Sequence, residues 1–137
     1  MKILYDNLLS NSALGGYSLT ASSTASGFDV ANVADWNDYD YWKPNTVTES
    51  YIEIQFTAAQ TADCFAIYAH DLGTKSWYAT LKRYNAGAWS QVGSIMMPQS
   101  DVAMAKQFTA VADTRWRIYF TPVGATAAPT IGVVFVG

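Results

Sequence analysis

Strict alternation of apolar and polar side chains is the feature of this sequence that most constrains its fold. Two segments show it, residues 51–56 and 115–121. Their apolar positions are Ile52, Ile54, Phe56, Trp116, Ile118 and Phe120. Because successive side chains of a strand point to opposite faces, this period predicts half-buried strands. No window keeps the spacing of an amphipathic helix, so the chain is predicted to be all-β.

Further strands are predicted where short apolar or alternating runs lie between glycine and proline breaks. They fall at residues 63–69, 77–82, 89–92, 104–109 and 130–136. Many short strands separated by turns indicate a β-sandwich or a barrel. The chain has 137 residues, a length typical of one domain, and we predict a single domain over residues 1–137.

Charge and composition exclude several classes of partner. The net charge is −3 and the basic residues are scattered, which argues against a nucleic-acid surface. No apolar stretch reaches the ~18 residues of a membrane span, and the N-terminal segment lacks the apolar core of a signal peptide. The single cysteine, Cys64, permits no internal disulfide and is expected to be buried. We therefore expect synthesis in a cytoplasm and no membrane insertion.

The segment 20–44 is the one long stretch that does not read as strand. Small polar residues and a Gly-Phe pair lead into a loop that is dense in Asp and aromatic residues. Its aromatic residues are Phe28, Trp36, Tyr39, Tyr41 and Trp42. A long loop with anchored aromatic side chains usually holds a binding site or a structural plug.

The order of these features resembles the discoidin, or coagulation-factor type C, family. The matching motifs are Ala21-Ser22-Ser23, Gly27-Phe28, Ala31-Asn32-Val33-Ala34-Asp35, Tyr41-Trp42 and the segments 51–56, 64–68 and 115–120. The resemblance implies a galactose-binding-like jelly roll, an antiparallel β-sandwich in which we expect the first and last strands to be adjacent. The expected core is Phe28, Trp42, Ile52, Ile54, Phe56, Phe65, Ile67, Leu81, Trp116, Ile118, Phe120, Val133 and Phe135.

One variant of this pattern is similar to modules of bacteriophage tail and virion proteins. It combines the Ala-Asn-Val-x-Asp loop with the turn at residues 69–74, which contains His70 and Asp71. The resemblance therefore implies a virion location for a protein made in the host cytoplasm. It also implies a host-surface receptor or other virion proteins as partners.

Two departures from the family pattern bear on a metal site. Trp36 replaces the usual Gly after Asp35, and Gly132 stands where calcium-binding relatives often place Glu. Oxygen atoms of Asp35, Asn37 and Asp40 are the kind of ligand that Ca²⁺ prefers. The alternative is that these side chains form turn hydrogen bonds with nearby backbone amides. Calcium is thus a possible cofactor, and Gly132 weighs against it.

A sugar site needs flat aromatic faces and planar polar groups. The predicted ligand-binding residues are Trp36, Asn37, Asp38, Tyr39, Tyr41, His70, Asp71 and Trp77. Tyr78, Trp89 and Arg83 are further candidates of the same kinds. For His70, the competing interpretation is a strand-end side chain bonded to a neighbour.

The function predicted from these features is a non-catalytic module that recognises a host-surface glycan. No nucleophile elbow, phosphate-binding loop or zinc-protease motif occurs, so no enzyme is predicted. The alternative is a structural protein that makes protein–protein contacts in an assembly, for example in a homo-oligomer. In that case the outward residues, such as Tyr51, Tyr119 and Val134, would form protein interfaces.

Overall fold

The computed structural model describes residues 7–9 and 16–137. These residues form six strands, all paired antiparallel. The strands are β1 (Tyr17–Ala21), β2 (Ser50–His70), β3 (Trp77–Asn85), β4 (Ala88–Gln91), β5 (Met104–Pro122) and β6 (Ile131–Val136). One α-helical turn, α1 (Leu72–Lys75), and one 3-10 helix (Val30–Ala34) complete the described elements. The predicted all-β fold is confirmed.

Two long strands connect the layers of the sandwich. The larger layer contains β1, the first part of β2, the last part of β5, β3 and β4, while the smaller contains the other parts of β2 and β5 with β6. The sequence predicted separate strands at 51–56 and 63–69, and again at 104–109 and 115–121. The structure joins each pair into one strand, with register breaks between Gln55 and Gln60 and between Ala62 and Cys64.

The core lies between the layers and contains most of the predicted residues. Ile54 from the larger layer and Ile67 from the smaller belong to one buried cluster. Phe28 was predicted in the core but is only partly buried, with the Lys43 ammonium 5.5 Å from its ring centre. Val134 was predicted to face outward, yet it is fully buried in the core.

Val133 and Phe135 are buried outside the main core. They are 2% and 4% exposed, but neither belongs to the core cluster. Their cross-strand partners are Tyr68 and Ala66, so these side chains lie on the outer face of the smaller layer. Their predicted burial is confirmed, and they pack on the outer side of the smaller layer and not in the central cluster.

The prediction that the first and last strands are adjacent is wrong for β1 and β6. Each pairs with β2, at its opposite ends, and the described residues show no ladder between them. The segment before β1 does reach the last strand: the Leu8 amide donates to the Val136 carbonyl over 2.9 Å. The Asn7 side chain donates to the Val134 carbonyl over 3.0 Å.

The family-like motifs of the long loop anchor it to the sandwich. The Ser22 hydroxyl accepts the Tyr51 amide, and the Asn32 side chain donates to the Tyr41 carbonyl. Trp42 is fully buried, and its backbone pairs with Ile131.

Cys64 is buried, as predicted. Within residues 7–9 and 16–137, no helix has the length and apolarity to cross a membrane.

Candidate functional site

The loop predicted to bind a ligand is exposed at Trp36 and Tyr39. These side chains have 49% and 71% of their surface exposed. Trp36 has a φ of 63°, a left-handed conformation that costs a non-glycine residue roughly 1–2 kcal/mol. Glycine, the residue that the similar family has at this position, adopts such a φ without this cost. The loop thus presents a large ring at a position whose backbone favours glycine.

The polar side chains of this loop bond to one another. The Asn37 backbone amide donates to Asp35 over 2.9 Å, and its side-chain amide donates to Asp35 and Asp40 over 3.1 and 3.4 Å. The Tyr41 hydroxyl donates to the Asp38 carbonyl over 2.8 Å. Among the described residues, no group of three His, Cys, Asp or Glu is placed to hold a metal. The arrangement is a set of turn hydrogen bonds and does not fit a calcium cage.

Gly132 has a packing reason that is independent of calcium. A Cβ at this position would lie 2.7 Å from the Ala69 Cβ and 2.8 Å from the Ala69 carbonyl oxygen. Both distances are shorter than van der Waals contact. The close approach of β6 to the end of β2 therefore requires glycine.

The other predicted ligand-binding residues have structural contacts. Trp77 is fully buried and its indole N–H donates to the Ala127 carbonyl, so its predicted ligand-facing ring is contradicted. His70 is 6% exposed; it accepts the Leu72 amide at Nδ1 and bonds the Val102 carbonyl at Nε2. Asp71 accepts the Thr130 amide and pairs with Lys75 over 2.7 Å. Each of these three residues is thus held by structural contacts of its own.

The bonds of His70 fix it as a neutral imidazole. Nδ1 must be unprotonated to accept the Leu72 amide, so Nε2 carries the proton that it donates to Val102. Burial lowers the pKa of His70 below its ordinary value, and this effect outweighs the Val102 bond and the nearby Asp101 and Asp71 charges. The competing interpretation of His70 as a bonded strand-end side chain is the one that the structure supports.

A second group of aromatic and charged side chains covers the outer face of the larger layer. Strands β2, β3, β4 and β5 contribute to it. We call it the aromatic–guanidinium face, and it consists of Tyr51, Glu53, Lys82, Tyr84, Trp89, Arg115, Arg117 and Tyr119. These side chains come together because the antiparallel register sets their strands side by side.

Glu53 is the centre of this face. Its Oε1 accepts Nε and Nη2 of Arg115 over 3.0 and 2.7 Å, and its Oε2 accepts Nε of Arg117 over 2.7 Å. The Glu53 side chain is 11% exposed, whereas those of Arg115 and Arg117 are 33% and 18% exposed. Charge-assisted hydrogen bonds of this kind are the stronger ones in proteins. One carboxylate therefore fixes two guanidinium groups.

Aromatic rings hold the same two guanidinium groups from the sides. The guanidinium carbon of Arg117 lies 3.9 Å from the Tyr51 ring centre and 4.3 Å from that of Trp89. That of Arg115 lies 4.8 Å from the Tyr84 ring centre and 5.3 Å from that of Trp89. Such cation–π contacts contribute about 0.5–1 kcal/mol each at exposed sites. Both arginines are thus held by hydrogen bonds and by stacking.

The ionisation of the cluster follows from these contacts. Burial by itself raises the pKa of the Glu53 carboxyl, but the hydrogen bonds and charges of Arg115 and Arg117 outweigh it, so the pKa lies below its ordinary value. Burial lowers the pKa of Arg117, and its bonds to Tyr119 and Glu53 more than compensate. Glu53 and Arg117 are therefore charged at neutral pH.

Sequence reasoning named several members of this face without assembling them. It placed Tyr51 and Tyr119 outward and took Trp89 as a candidate ring, but it assigned no site to Glu53 or the arginines. The signal that was available is alternation, because the outward positions of segments 51–56 and 115–121 carry these charges. Pairing the two segments antiparallel sets Glu53 opposite Arg117. The missing information was the pairing of strands.

A shallow apolar depression lies on the outer face of the smaller layer. It has a volume of about 210 Å³, and Trp36 stands at its side with its ring edge against Phe135, at a centroid distance of 6.5 Å. Its lining residues are Trp36, Ala66, Ile67, Tyr68, Ala103, Met104, Ala105, Val133 and Phe135. Because almost all of these side chains are apolar, the depression offers few partners for sugar hydroxyl groups.

Comparison with solved structures identifies the fold. A chitosan-binding module from a Paenibacillus chitosanase/glucanase is 18% identical, with a TM-score of 0.73; the match covers 97% of this chain and 99% of the module. A family 32 carbohydrate-binding module from Clostridium perfringens, solved with galactose, is 14% identical, with a TM-score of 0.71 and coverages of 88% and 92%. The all-β sandwich is confirmed by both.

A fucosidase from Ruminococcus gnavus, in complex with fucose, shows the same fold in part of its length. It is 15% identical with a TM-score of 0.76, and the match covers 96% of this chain. The present chain spans about a quarter of that enzyme, 26% of its length. No protein-family model matches the sequence, and no curated protein is similar to it. The likeness to these structures is therefore one of fold.

Proposed function

We propose that this chain is a non-catalytic glycan-binding module and that the glycan binds on the aromatic–guanidinium face. The observation that carries the proposal is the Arg117 guanidinium, which is stacked on Tyr51 and Trp89 and bonded to Glu53 on a partly exposed sheet face. Planar polar groups and rings fixed in one surface suit the hydroxyl groups and C–H faces of sugars. Two of the solved structures with this fold are described as carbohydrate-binding or chitosan-binding modules.

The state of Glu53 supports binding without catalysis. A glycoside hydrolase needs a carboxylic acid with a raised pKa to protonate the leaving oxygen. The pKa of Glu53 is instead lowered, and both of its oxygen atoms accept arginine N–H groups. This carboxylate positions its neighbours and does not serve as a proton donor.

A glycan array with the full chain, followed by titration of the strongest hit, tests the proposal. We expect Trp89→Ala to weaken binding about tenfold, because the lost ring contacts are worth roughly 1–1.5 kcal/mol. Tyr39→Ala is the matched control, since Tyr39 is an exposed ring outside this face. A glycan that binds equally well to Trp89→Ala but not to Trp36→Ala would place the site on the originally predicted loop, residues 36–41.

The apolar depression favours a second function, a contact within a larger assembly. Its side chains are almost all apolar, and two of them, Trp36 and Tyr68, are 49% and 45% exposed. A protein partner or a second copy of the chain covers such surfaces more readily than a sugar does. Sedimentation of the wild type and of Trp36→Asp across a range of concentrations tests this: association in the wild type alone supports it. A role of this protein in a phage tail or virion stays a prediction from the resemblance.

A further inference from the structure

We infer that the glycan recognised by the aromatic–guanidinium face is anionic, with carboxylate or sulfate groups on its sugars. The inference rests on the proposed glycan-binding function and specifies its ligand class. Three observations carry it: the local excess of positive charge, the N–H groups that remain available on two fixed guanidiniums, and the position of those guanidiniums over the rings.

The charge of this face differs in sign from that of the whole chain. The face carries three cationic side chains and one carboxylate, Lys82, Arg115, Arg117 and Glu53. The whole chain, by contrast, carries a net charge of −3. At its borders, Asp113 lies 3.8 Å from Arg83, and Glu49 adds one exposed carboxylate that accepts the Thr121 hydroxyl. With these border groups included, four cationic side chains stand against three carboxylates. A positive surface on a negative protein attracts anions to that surface in particular.

The two guanidiniums keep N–H groups for a ligand. Arg115 uses Nε and Nη2 on Glu53, and Arg117 uses Nε on Glu53 and Nη1 on the Tyr119 hydroxyl. Within the described part of the chain, no hydrogen bond involves Nη1 of Arg115 or Nη2 of Arg117. A guanidinium fork matches the paired oxygen atoms of carboxylate and sulfate groups. Because both forks are already held in place, little side-chain entropy is lost on binding.

The stacking of the arginines disfavours a neutral sugar. A neutral pyranose gains most when its C–H face covers an open aromatic ring. Here Arg117 lies over Tyr51, and both arginines lie near the Trp89 ring. A ligand that approaches this face therefore meets cationic N–H donors as well as carbon surface, and an anionic group gains more from them than a hydroxyl does.

Lys82 provides the mildest way to test the charge. Its ammonium lies 4.5 Å from the Tyr119 ring centre, and no salt bridge involving Lys82 occurs among the described residues. Lys82→Gln thus removes one positive charge without breaking an ion pair. Lys43→Gln is the matched control, because Lys43 also lies over a ring, that of Phe28, but outside this face. Arg117→Lys tests the fork itself, with circular dichroism as the check on folding.

The probes are polygalacturonate, its methyl ester, dextran sulfate, dextran, neutral galactan and polyglutamate, each titrated at low and moderate salt. We expect polygalacturonate or dextran sulfate to bind at least tenfold more tightly than the matching methyl ester or dextran. The preference should shrink as salt screens the charges. Lys82→Gln should weaken anionic binding severalfold and Arg117→Lys more strongly, while Lys43→Gln should match the wild type.

The outcomes separate this inference from the proposed function. Preference for polygalacturonate identifies carboxylate as the ligand group, and preference for dextran sulfate identifies sulfate. Equal or tighter binding of galactan, dextran or the methyl ester overturns the inference and leaves the glycan-binding function intact. Equal binding of polyglutamate overturns it in favour of a general polyanion site. If no polysaccharide binds here and no glycan binds on the array, the proposed function fails, and the inference fails with it.

Discussion

The outer faces of the two layers both display aromatic side chains, yet their surroundings make them chemically different. On the smaller layer, Trp36 and Phe135 border an almost wholly apolar depression. On the larger layer, Tyr51 and Trp89 hold a guanidinium that is bonded to a carboxylate. An exposed ring therefore does not define a sugar site by itself. The polar groups that share its surface decide which kind of partner fits.

The largest loss of stability is expected from a substitution in the smaller layer. Gly132→Ala places a Cβ 2.7 Å from the Ala69 Cβ, and we expect the free energy of unfolding to fall by about 2–3 kcal/mol, the upper range for overpacking. Urea unfolding gives the measurement. Ala69→Gly in the same chain should restore part of the loss, because it removes the facing Cβ and suits the φ of 54° at this position. A Gly132→Ala chain as stable as the wild type would contradict the packing explanation of Gly132.

The next largest loss of stability is expected from a substitution on the aromatic–guanidinium face of the larger layer. Glu53→Gln removes the charge that two arginines share and sets an amide N–H group against one of them. We expect the free energy of unfolding to fall by about 2 kcal/mol, as for other hydrogen bonds to charged groups. Glu49→Gln is the matched control, since Glu49 is exposed and, within residues 7–9 and 16–137, its carboxylate bonds the Thr121 hydroxyl alone. Similar urea midpoints for the two variants would contradict a central role for Glu53.

The smallest effect is a difference between the two layers in the pH range where each loses stability. His70 has a lowered pKa when folded, so the unfolded chain binds the proton more readily and acid favours unfolding. Its stabilising contribution is present above its ordinary pKa of 6.5 and is lost as the pH falls below it. Glu53, whose pKa is also lowered, loses its contribution only as the pH falls below its ordinary 4.5.

Urea unfolding between about pH 7.5 and about pH 5.5 isolates the His70 contribution. The wild type should lose stability over this range, whereas His70→Gln should show a much flatter dependence, whatever its absolute stability. Glu53 stays ionised throughout this range and does not add to the slope. An equal slope in both chains would show that another group titrates there.

The alternating segments made the fold predictable from the sequence. Ile52, Ile54, Trp116 and Ile118 are fully buried, as their period requires. The continuity of β2 and β5 could not be predicted, because the polar residues between the alternating segments carry no apolar period. Their ladder is continued by backbone pairing, as between Gln60 and Asp113, and backbone groups are the same in every residue. Sequence patterns therefore predicted which side chains are buried better than they predicted where strands begin and end.

The candidate site was harder to predict, since it depends on which strands are neighbours. The loop with Trp36 and Tyr39 was correctly predicted to be exposed, because its residues match no core position of the family pattern. Trp77 was misassigned because an indole looks the same in sequence whether it is buried or exposed. Glu53 and Arg117 are 64 residues apart in the chain, and only the register of β2 on β5 makes them one cluster.

The two long strands also give this fold two separate outer surfaces. Strand β2 supplies Tyr51 and Glu53 to one side of the sandwich and Ala66 and Tyr68 to the other. Because the outer faces of two packed layers point in opposite directions, a ligand on one face does not occlude the other. The fold therefore leaves two opposite faces, one charged and one apolar, that two different partners can occupy at the same time.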